Sequence, residues 1–347
     1  MSEKLKFGLI GSGSQGRYLC ESLLMTDLAD LVACADLDLE KARGAAEFLG
    51  ADQAYGSAEE MLAEADIEAV IVATIHAQLQ PSAMQAVAAG KHALVEKPMA
   101  LDAAAGRELA DAAKSAGVNV MVGYSLRFLP ERVLMKQLLD RGAVGEMTHI
   151  IGGQLIGNMG GWLKERAHGG GPLMYVGSHA LDTVLWVADR AAKRVYAAVE
   201  WKDGSDVEAS ADITIQFEGG LTALVSTSQR MGGRYGWLDV IGSAGRVRAQ
   251  WESPGLFVES SALPEYSRPT TIEVSSPSGL LAPLPPEARG RMSGFKYLHT
   301  WASELTEFCN SITEGRAPSV SADDGVRTLE VIDAVLQSAK TDGPVDL

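Results

Sequence analysis

"GLIGSGSQGRYL", residues 8–19, opens on an apolar run and closes in a helical pattern, and between the two it sets Gly11, Gly13 and Gly16 in a G-x-G-x-x-G register. Each glycine has its own physical reason. Gly11 permits a tight turn out of a strand, Gly13 lets backbone come close to a pyrophosphate, and Gly16 lets the helix press against the strand. The start of the helix then offers free N–H groups and partial positive charge to phosphate oxygens. A glycine-rich turn alone says little. Here the strand before it, the helix after it and an acid at the expected distance agree. That acid is Asp36, 20 residues beyond Gly16, at the end of "LVACAD" (31–36). A carboxylate there accepts both adenosine ribose hydroxyls and repels a 2′-phosphate. Asp38 is better placed to cap the next helix, and no arginine directly follows Asp36. The spacing predicts a dinucleotide site that takes NAD in preference to NADP.

Working outward, the first 123 residues alternate short apolar runs with helical patterns. The runs are "KFGLIG" (6–11), "LVACAD", "AVIVAT" (69–74), "HALVEK" (92–97) and "VNVMVG" (118–123). Between them lie "SQGRYLCESLL", "DLEKARGAAEFLG", "SAEEMLAEA", "PSAMQAVAAG" and "DAAAGRELADAAKSAG", several of them ending in a glycine that suits a C-cap. Runs apolar on both faces between helices imply an α/β, doubly wound parallel sheet. After Gly123 the pattern changes. A helix is expected over 130–142, a strand over 147–157, then a Gly-rich loop and a helix from about Pro172 to Ala188. Strands follow from about 194 to 260. In "VEASADITIQF" (207–217), Val207, Ala209, Ala211, Ile213, Ile215 and Phe217 share one face, and "EGG" turns the strand into "LTALVSTS" as a hairpin. "WLDVIG" and "RVRAQW" read as the continuing meander. Residues 261–293, rich in Ser and Pro, read as a surface excursion, and two helices, about 295–314 and 322–340, close the chain. The expected division is 1–123, a nucleotide-binding domain, and 124–347, an α+β domain with an open, mainly antiparallel sheet.

The 347 residues, 46% apolar and 22% charged, suit a globular protein of two domains. A net charge of −15 leaves no basic footprint for nucleic acid. No apolar run approaches the roughly 18 residues of a membrane span, and the chain enters a strand at once with no room for a signal peptide, so a cytoplasmic location is expected. Cys20, Cys34 and Cys309 match no metal or disulfide spacing and read as core residues. The histidines show no helical metal-ligand spacing, so no metal is expected.

One further stretch carries chemistry. "VEKPMALD" (95–102) places Glu96 and Lys97 at the C-terminal end of a strand, where ligands of a doubly wound sheet sit. Pro98 biases Lys97 toward an extended backbone and helps aim its side chain. Beside a nicotinamide, an ammonium can bind a substrate hydroxyl and steady a developing alkoxide. The alternative is a solvated surface cation.

With these residues in hand, the sequence resembles the glucose–fructose oxidoreductase and inositol dehydrogenase family (Gfo/Idh/MocA). The resemblance runs through "GSGSQG", "AGKHALVEKPMA" (89–100), "SLRFLP" (125–130), "GGGPLMYVGSHALD" (169–182) and "PSVSADDGVRTLEVIDA", and so covers essentially the whole chain. It implies an N-terminal NAD-binding Rossmann domain, a C-terminal α+β domain whose open sheet serves homo-oligomerisation as a dimer or tetramer, and a site between the two. It implies catalytic roles for Lys97 and for His179 of the G-x-H-x-x-D motif, with Tyr175 one turn before it. Cofactor contacts are expected from Gly11, Ser12, Gly13, Ser14, Gln15, Gly16 and Asp36 on the loop side, and from Ala73, Thr74, His76, Glu96 and Lys97 at the other strand ends. Arg127, Trp162, His168 and Tyr235 are the candidate substrate contacts. Trp162 and Tyr235 read equally as packed aromatics, and Arg127 as a tie between helix and sheet.

The chain departs from the family pattern twice. Where the family often reads A-T-P-N-x-x-H, this chain has "ATIHAQL", with Ile75, His76 and Leu79. Where the family often has an Asp four residues before the motif histidine, this chain has Tyr175. The first departure touches the usual nicotinamide contacts, the second the usual Lys-Asp-His proton relay. The resemblance implies an NAD-dependent dehydrogenase oxidising a secondary hydroxyl of a sugar, glycoside or cyclic polyol to a ketone. The alternatives are a redox-assisted lyase or glycosidase with no net NADH, and a cofactor-binding regulator without catalysis.

Overall fold

The computed structural model describes residues 4–250, 255–274 and 295–347. The chain divides into two compact units. The first takes Met1–Ala100, Ala104–Phe128 and Ser276–Val326; the second takes Leu101–Ala103, Leu129–Ser275 and Arg327–Leu347.

The first unit alternates β1 (Leu5–Ile10), α1 (Ser14–Leu24), β2 (Ala29–Ala35), α2 (Leu39–Leu49), β3 (Gln53–Tyr55), α3 (Ala58–Glu64), β4 (Ala69–Val72), α4 (His76–Ala88), β5 (His92–Val95), α5 (Ala103–Ala116) and β6 (Val120–Val122). The strands pair in parallel in the order β3-β2-β1-β4-β5-β6. The winding direction reverses between β1 and β4, and right-handed crossovers on either side of that point put helices on both faces. This is why every residue of β4 is buried. Two details differ from the sequence reading. β3 carries no apolar run: it is three residues long, half-exposed and at the sheet edge. α4 begins at His76, ahead of the expected "PSAMQAVAAG", and keeps Pro81 inside it, giving up a backbone hydrogen bond that the apolar cover of Leu79, Ala83 and Val87 offsets.

The second unit opens with α6 (Pro130–Asp140), β7 (Met147–Ile156) and, after a loop and one π-helical turn (Leu173–Gly177), α7 (Ser178–Ala188). There follow β8 (Ala192–Trp201), β9 (Glu208–Phe217), β10 (Thr222–Ser228), β11 (Arg234–Gly242), β12 (Gly245–Gln250), β13 (Gly255–Ser260) and β14 (Thr270–Glu273). α8 (Phe295–Thr313), α9 (Ala322–Thr341) and β15 (Val345–Asp346) end the chain. The sheet order is β14-β13-β12-β11-β7-β10-β9-β8-β15. It is antiparallel except at β7–β10, which is parallel. The β9–β10 hairpin forms as read, and Val207, Ala209, Ala211, Ile213, Ile215 and Phe217 are all buried. The meander does not run straight on: β7 inserts between β10 and β11. Pairing of strands distant in sequence is decided by which edge is free, and alternation alone does not reveal it. α6 packs on β12 and β13, α7 on β7 and β10, and the Ser338 hydroxyl of α9 accepts the Ala197 N–H at 3.0 Å. The other face exposes Tyr196, Asp212 and Leu224.

Residues 124–128, α8 and the start of α9 belong to the first unit. α8 buries Leu298, Ala302, Leu305, Phe308 and Cys309, and Trp301 stacks on Tyr18 of α1 at 5.9 Å, while Phe308 meets Phe7 of β1 edge-on at 6.0 Å. An apolar helix face needs cover, and this one finds it on α1. Most of the expected Ser/Pro-rich excursion lies outside the described residues.

Candidate active site

The glycine loop follows β1 at the point where the winding reverses. Gly11 has φ +95°, and a Cβ there would lie 2.6 Å from the Ala73 carbonyl oxygen. A Cβ on Gly16 would lie 2.3 Å from the Gly11 carbonyl oxygen and 2.9 Å from Leu9. These two glycines serve the protein's own packing. Gly13 is different: it is exposed, extended, and a Cβ there would meet nothing within 4 Å. That open side, beside an α1 N-terminus with no side-chain cap and no acid in its first turn, fits a pyrophosphate. Ser12 is buried and Ser14 exposed. Asp36 is held in place: one carboxylate oxygen accepts the Ser12 N–H at 2.9 Å and the other the Asp38 N–H at 3.0 Å. Asp38, not Asp36, caps α2, accepting the Glu40 N–H at 3.2 Å. The residues present therefore fit a dinucleotide with a free ribose 2′-hydroxyl.

On the neighbouring strands, the Ala73 N–H donates to the Ile10 carbonyl at 2.8 Å and continues the β1–β4 pairing. The Thr74 hydroxyl donates to the Ile75 carbonyl at 3.2 Å. His76 is the first residue of α4 and is buried. Glu96 and Lys97 follow β5 and are 9% and 7% exposed, so Lys97 is not a solvated surface cation. The Lys97–Pro98 peptide is cis. Both Glu96 oxygens are used: one accepts the Gln15 side-chain amide at 2.8 Å, the other the Lys97 N–H at 3.0 Å. Burial raises the Glu96 pKa, opposed by the Lys97 charge and by these bonds. The Gln15–Glu96 bond ties the glycine loop to the turn that carries Lys97, a link no spacing rule foretells. Arg127 is buried in a short 3₁₀ turn, 3.4 Å from Asp324. Asp324 also accepts the Ser321 N–H at 2.8 Å and its hydroxyl at 2.9 Å. The guanidinium thus braces the start of α9.

In the second unit, Tyr175 and His179 are half-buried while Met174, Val176, Gly177, Ser178 and Ala180 around them are buried. The two residues therefore open on one face, as their spacing predicts. The turn beneath them is π-helical, a geometry that recurs at functional sites. Tyr175 also packs, with Leu163, on the cluster of Ile156, Met159 and Val176. Trp162 is half-buried in a 3₁₀ turn, Gly161–Lys164. His168 is exposed, its Nδ1 2.8 Å from a Glu165 carboxylate oxygen. Tyr235 lies on β11, stacked on Trp237 at 5.3 Å, and its hydroxyl accepts from the Gln250 amide at 3.3 Å. The structure brings Tyr175 and the Leu163 side of the loop together, while His168 bonds to Glu165 and Tyr235 stacks on Trp237.

Two family models match this chain: the oxidoreductase family with an NAD-binding Rossmann fold over residues 5–124, and the GFO/IDH/MocA C-terminal domain over residues 133–248. The chain belongs to the Gfo/Idh/MocA family. Myo-inositol 2-dehydrogenase of Thermotoga maritima is 25% identical over 94% of this chain and 93% of its own length. Trans-1,2-dihydrobenzene-1,2-diol dehydrogenase of Xenopus laevis is 28% identical over 64% of this chain and 68% of its own. Levoglucosan dehydrogenase, solved in complex with NADH, shares the fold with a TM-score of 0.88 at 24% identity, over 99% of both chains. As in the rest of the family, the first unit is an NAD-binding Rossmann unit and the protein is an oxidoreductase. Among the described residues no helix is long and apolar enough to cross a membrane, and no three His, Cys, Asp or Glu side chains are grouped to hold a metal ion.

Proposed function

We propose that this protein is an NAD-dependent dehydrogenase that oxidises a secondary hydroxyl of a sugar, glycoside or cyclic polyol to a ketone, reversibly. One observation carries the reading: Lys97 is held buried at the end of β5, beside a Glu96 that is hydrogen-bonded to the glycine loop. The inositol and dihydrodiol dehydrogenases among its relatives act on compounds of this kind by name. NAD, when bound, supplies the hydride acceptor. Lys97 hydrogen-bonds the reacting oxygen and steadies negative charge as it develops. His179 takes the hydroxyl proton as general base, and Tyr175 hydrogen-bonds a neighbouring hydroxyl of the substrate. Trp162 and the loop that carries His168 flank the sugar. Asp36 sets the preference for NAD over NADP. The protein acts in the cytoplasm as a homodimer or homotetramer through its second-unit sheet, whose exposed Tyr196 and Leu224 offer apolar area to another copy.

The test is a panel of sugars, glycosides and inositols with NAD, followed by NADH absorbance and product analysis. Net NADH with a ketone product supports the dehydrogenase. Product without NADH moves the protein to a redox-assisted lyase, and no product with NAD still bound makes it a regulator.

A further inference from the structure

The second unit holds an ion pair with a buried carboxylate that no sequence motif announced. Glu208, the first residue of β9, is 0% exposed at its side chain, and one of its oxygens pairs with the Arg166 guanidinium. Its other oxygen accepts the Leu173 N–H at 2.5 Å. Leu173 opens the π-helical turn that leads to Tyr175 and His179, and Pro172 before it has no N–H to give. Glu208 therefore supplies an acceptor, and a negative charge, at the point where a helix start leaves its N–H groups without intrahelical partners.

Arg166 belongs to the loop that follows β7 and carries Trp162 and His168. It ties that loop down on several sides. Its side chain donates to the Gly170 carbonyl at 2.7 Å and twice to the Asp206 carbonyl at 3.3 Å, and its own N–H reaches the Asp206 carboxylate at 3.1 Å. The glycines of "GGGP" are cut to this clamp. Gly171 has φ +79°, and a Cβ there would lie 2.9 and 3.0 Å from the two Glu208 oxygens; Gly170 has φ +75°, and a Cβ there would lie 2.3 Å from Met174. Only a chain without a side chain at 171 lets the carboxylate reach the Leu173 N–H and Arg166 together.

We infer that Arg166 and Glu208 are positioning residues: through one buried carboxylate they fix the Trp162–His168 loop against the turn that presents Tyr175 and His179. The clamp sets the spacing between the residues that flank the substrate and the base that takes its proton. None of the hydrogen bonds of the clamp named above involves residues 11–16. The functional half of the inference rests on the dehydrogenase reading above; the structural half does not.

The experiment compares Glu208→Gln, Arg166→Met and Arg166→Lys in the full chain, with the panel polyol that reduces NAD fastest as substrate. Amide hydrogen exchange over 173–179 is expected to quicken about tenfold or more in the first two variants. Their kcat is expected to fall by about 10²-fold, the scale of an ångström of misplacement, with a raised KM for the polyol. NADH affinity, read by fluorescence titration, is expected to stay within about twofold, as for changes that share no partner with the cofactor loop. Arg166→Lys keeps the charge without the fork and recovers part of the kcat. Unchanged exchange over 173–179, or a loss of NADH affinity as large as the loss of kcat, overturns the inference. If Glu208→Gln does not fold, Arg166→Met decides, because that side chain is 27% exposed and leaves the carboxylate room for water. If the unaltered protein oxidises no polyol, the dehydrogenase reading fails, and exchange over 173–179 alone judges the clamp.

Discussion

Two glycine-rich blocks, residues 11–16 and 169–171, look alike on paper and do different work. In the first, Gly11 and Gly16 make room for the protein's own backbone, and Gly13 leaves an open side for something outside the chain. In the second, Gly170 and Gly171 make room for Met174 and the Glu208 carboxylate, so the space is already filled from within. A missing Cβ tells a reader that something comes close. Whether that something is a ligand or the chain itself depends on what the fold carries there.

The widest expected gap between the two regions is catalytic. His179→Ala and Lys97→Met should each cut turnover by about 10²–10⁴-fold, the usual worth of a proton-transfer group, while NADH titrations stay near those of the unaltered protein. Tyr175→Phe should mainly raise the substrate KM. Near-normal turnover and an unchanged pH profile in His179→Ala would send the proton out by another route and undo the assignment.

Glycine replacements sharpen the comparison itself. Gly16→Ala should lower stability by about 1–3 kcal/mol, the cost of overpacking, seen as a reduced melting temperature. Gly13→Ala should leave the melting temperature unchanged and weaken NADH binding, because its Cβ would meet no protein atom. Gly171→Ala should reduce melting temperature and kcat together without touching NADH affinity. A Gly13→Ala protein that melts early but binds NADH normally would reverse the reading of the first block.

Asp36→Ser should narrow the preference for NAD over NADP in competition titrations. It also removes the acceptor of the Ser12 and Asp38 N–H groups, a loss of about 1 kcal/mol for each bond. Tighter NADP binding by the unaltered protein would overturn the preference.

The smallest effect is a pH dependence. Burial raises the Glu96 pKa above the ordinary carboxylate range. A carboxyl with a raised folded-state pKa contributes stability that is complete below about 4.5 and is lost as pH climbs through the folded-state value. Glu96→Gln has no such loss. The difference in melting temperature, variant minus unaltered protein, should therefore rise with pH from about 4.5 upward. A flat difference across that range would mean that the Lys97 charge and the Gln15 bond fully offset the burial.

How much of this was legible follows from the range of the interactions. The alternation of apolar runs and helical patterns, the fingerprint at Gly11–Gly16 and the acid at Asp36 are local or fixed-distance signals, and a doubly wound unit could be read from them directly. β3 escaped because a three-residue edge strand buries too little to leave a hydrophobic run. The start of α4 escaped because Pro81 looks like a first turn when neighbouring cover is unknown. At the site, Lys97 and His179 were named from motif position. The Gln15–Glu96 bond, the Arg127–Asp324 pair and the Arg166–Glu208 clamp span from 42 to 197 residues of chain, as 166 to 208 and 127 to 324 show. No periodicity encodes partners so far apart.

The sequence by itself determined the class of the first unit and its cofactor, because these depend on residue type and on spacing along one strand and one helix. Tertiary structure decided the rest: that α8 covers the first unit, that β7 sits in the middle of the second sheet, and that a carboxylate at the head of β9 holds the turn before His179. Those outcomes depend on which apolar faces and unpaired backbone groups meet after the chain has folded back on itself, and burial, unlike spacing, is a property of the whole chain.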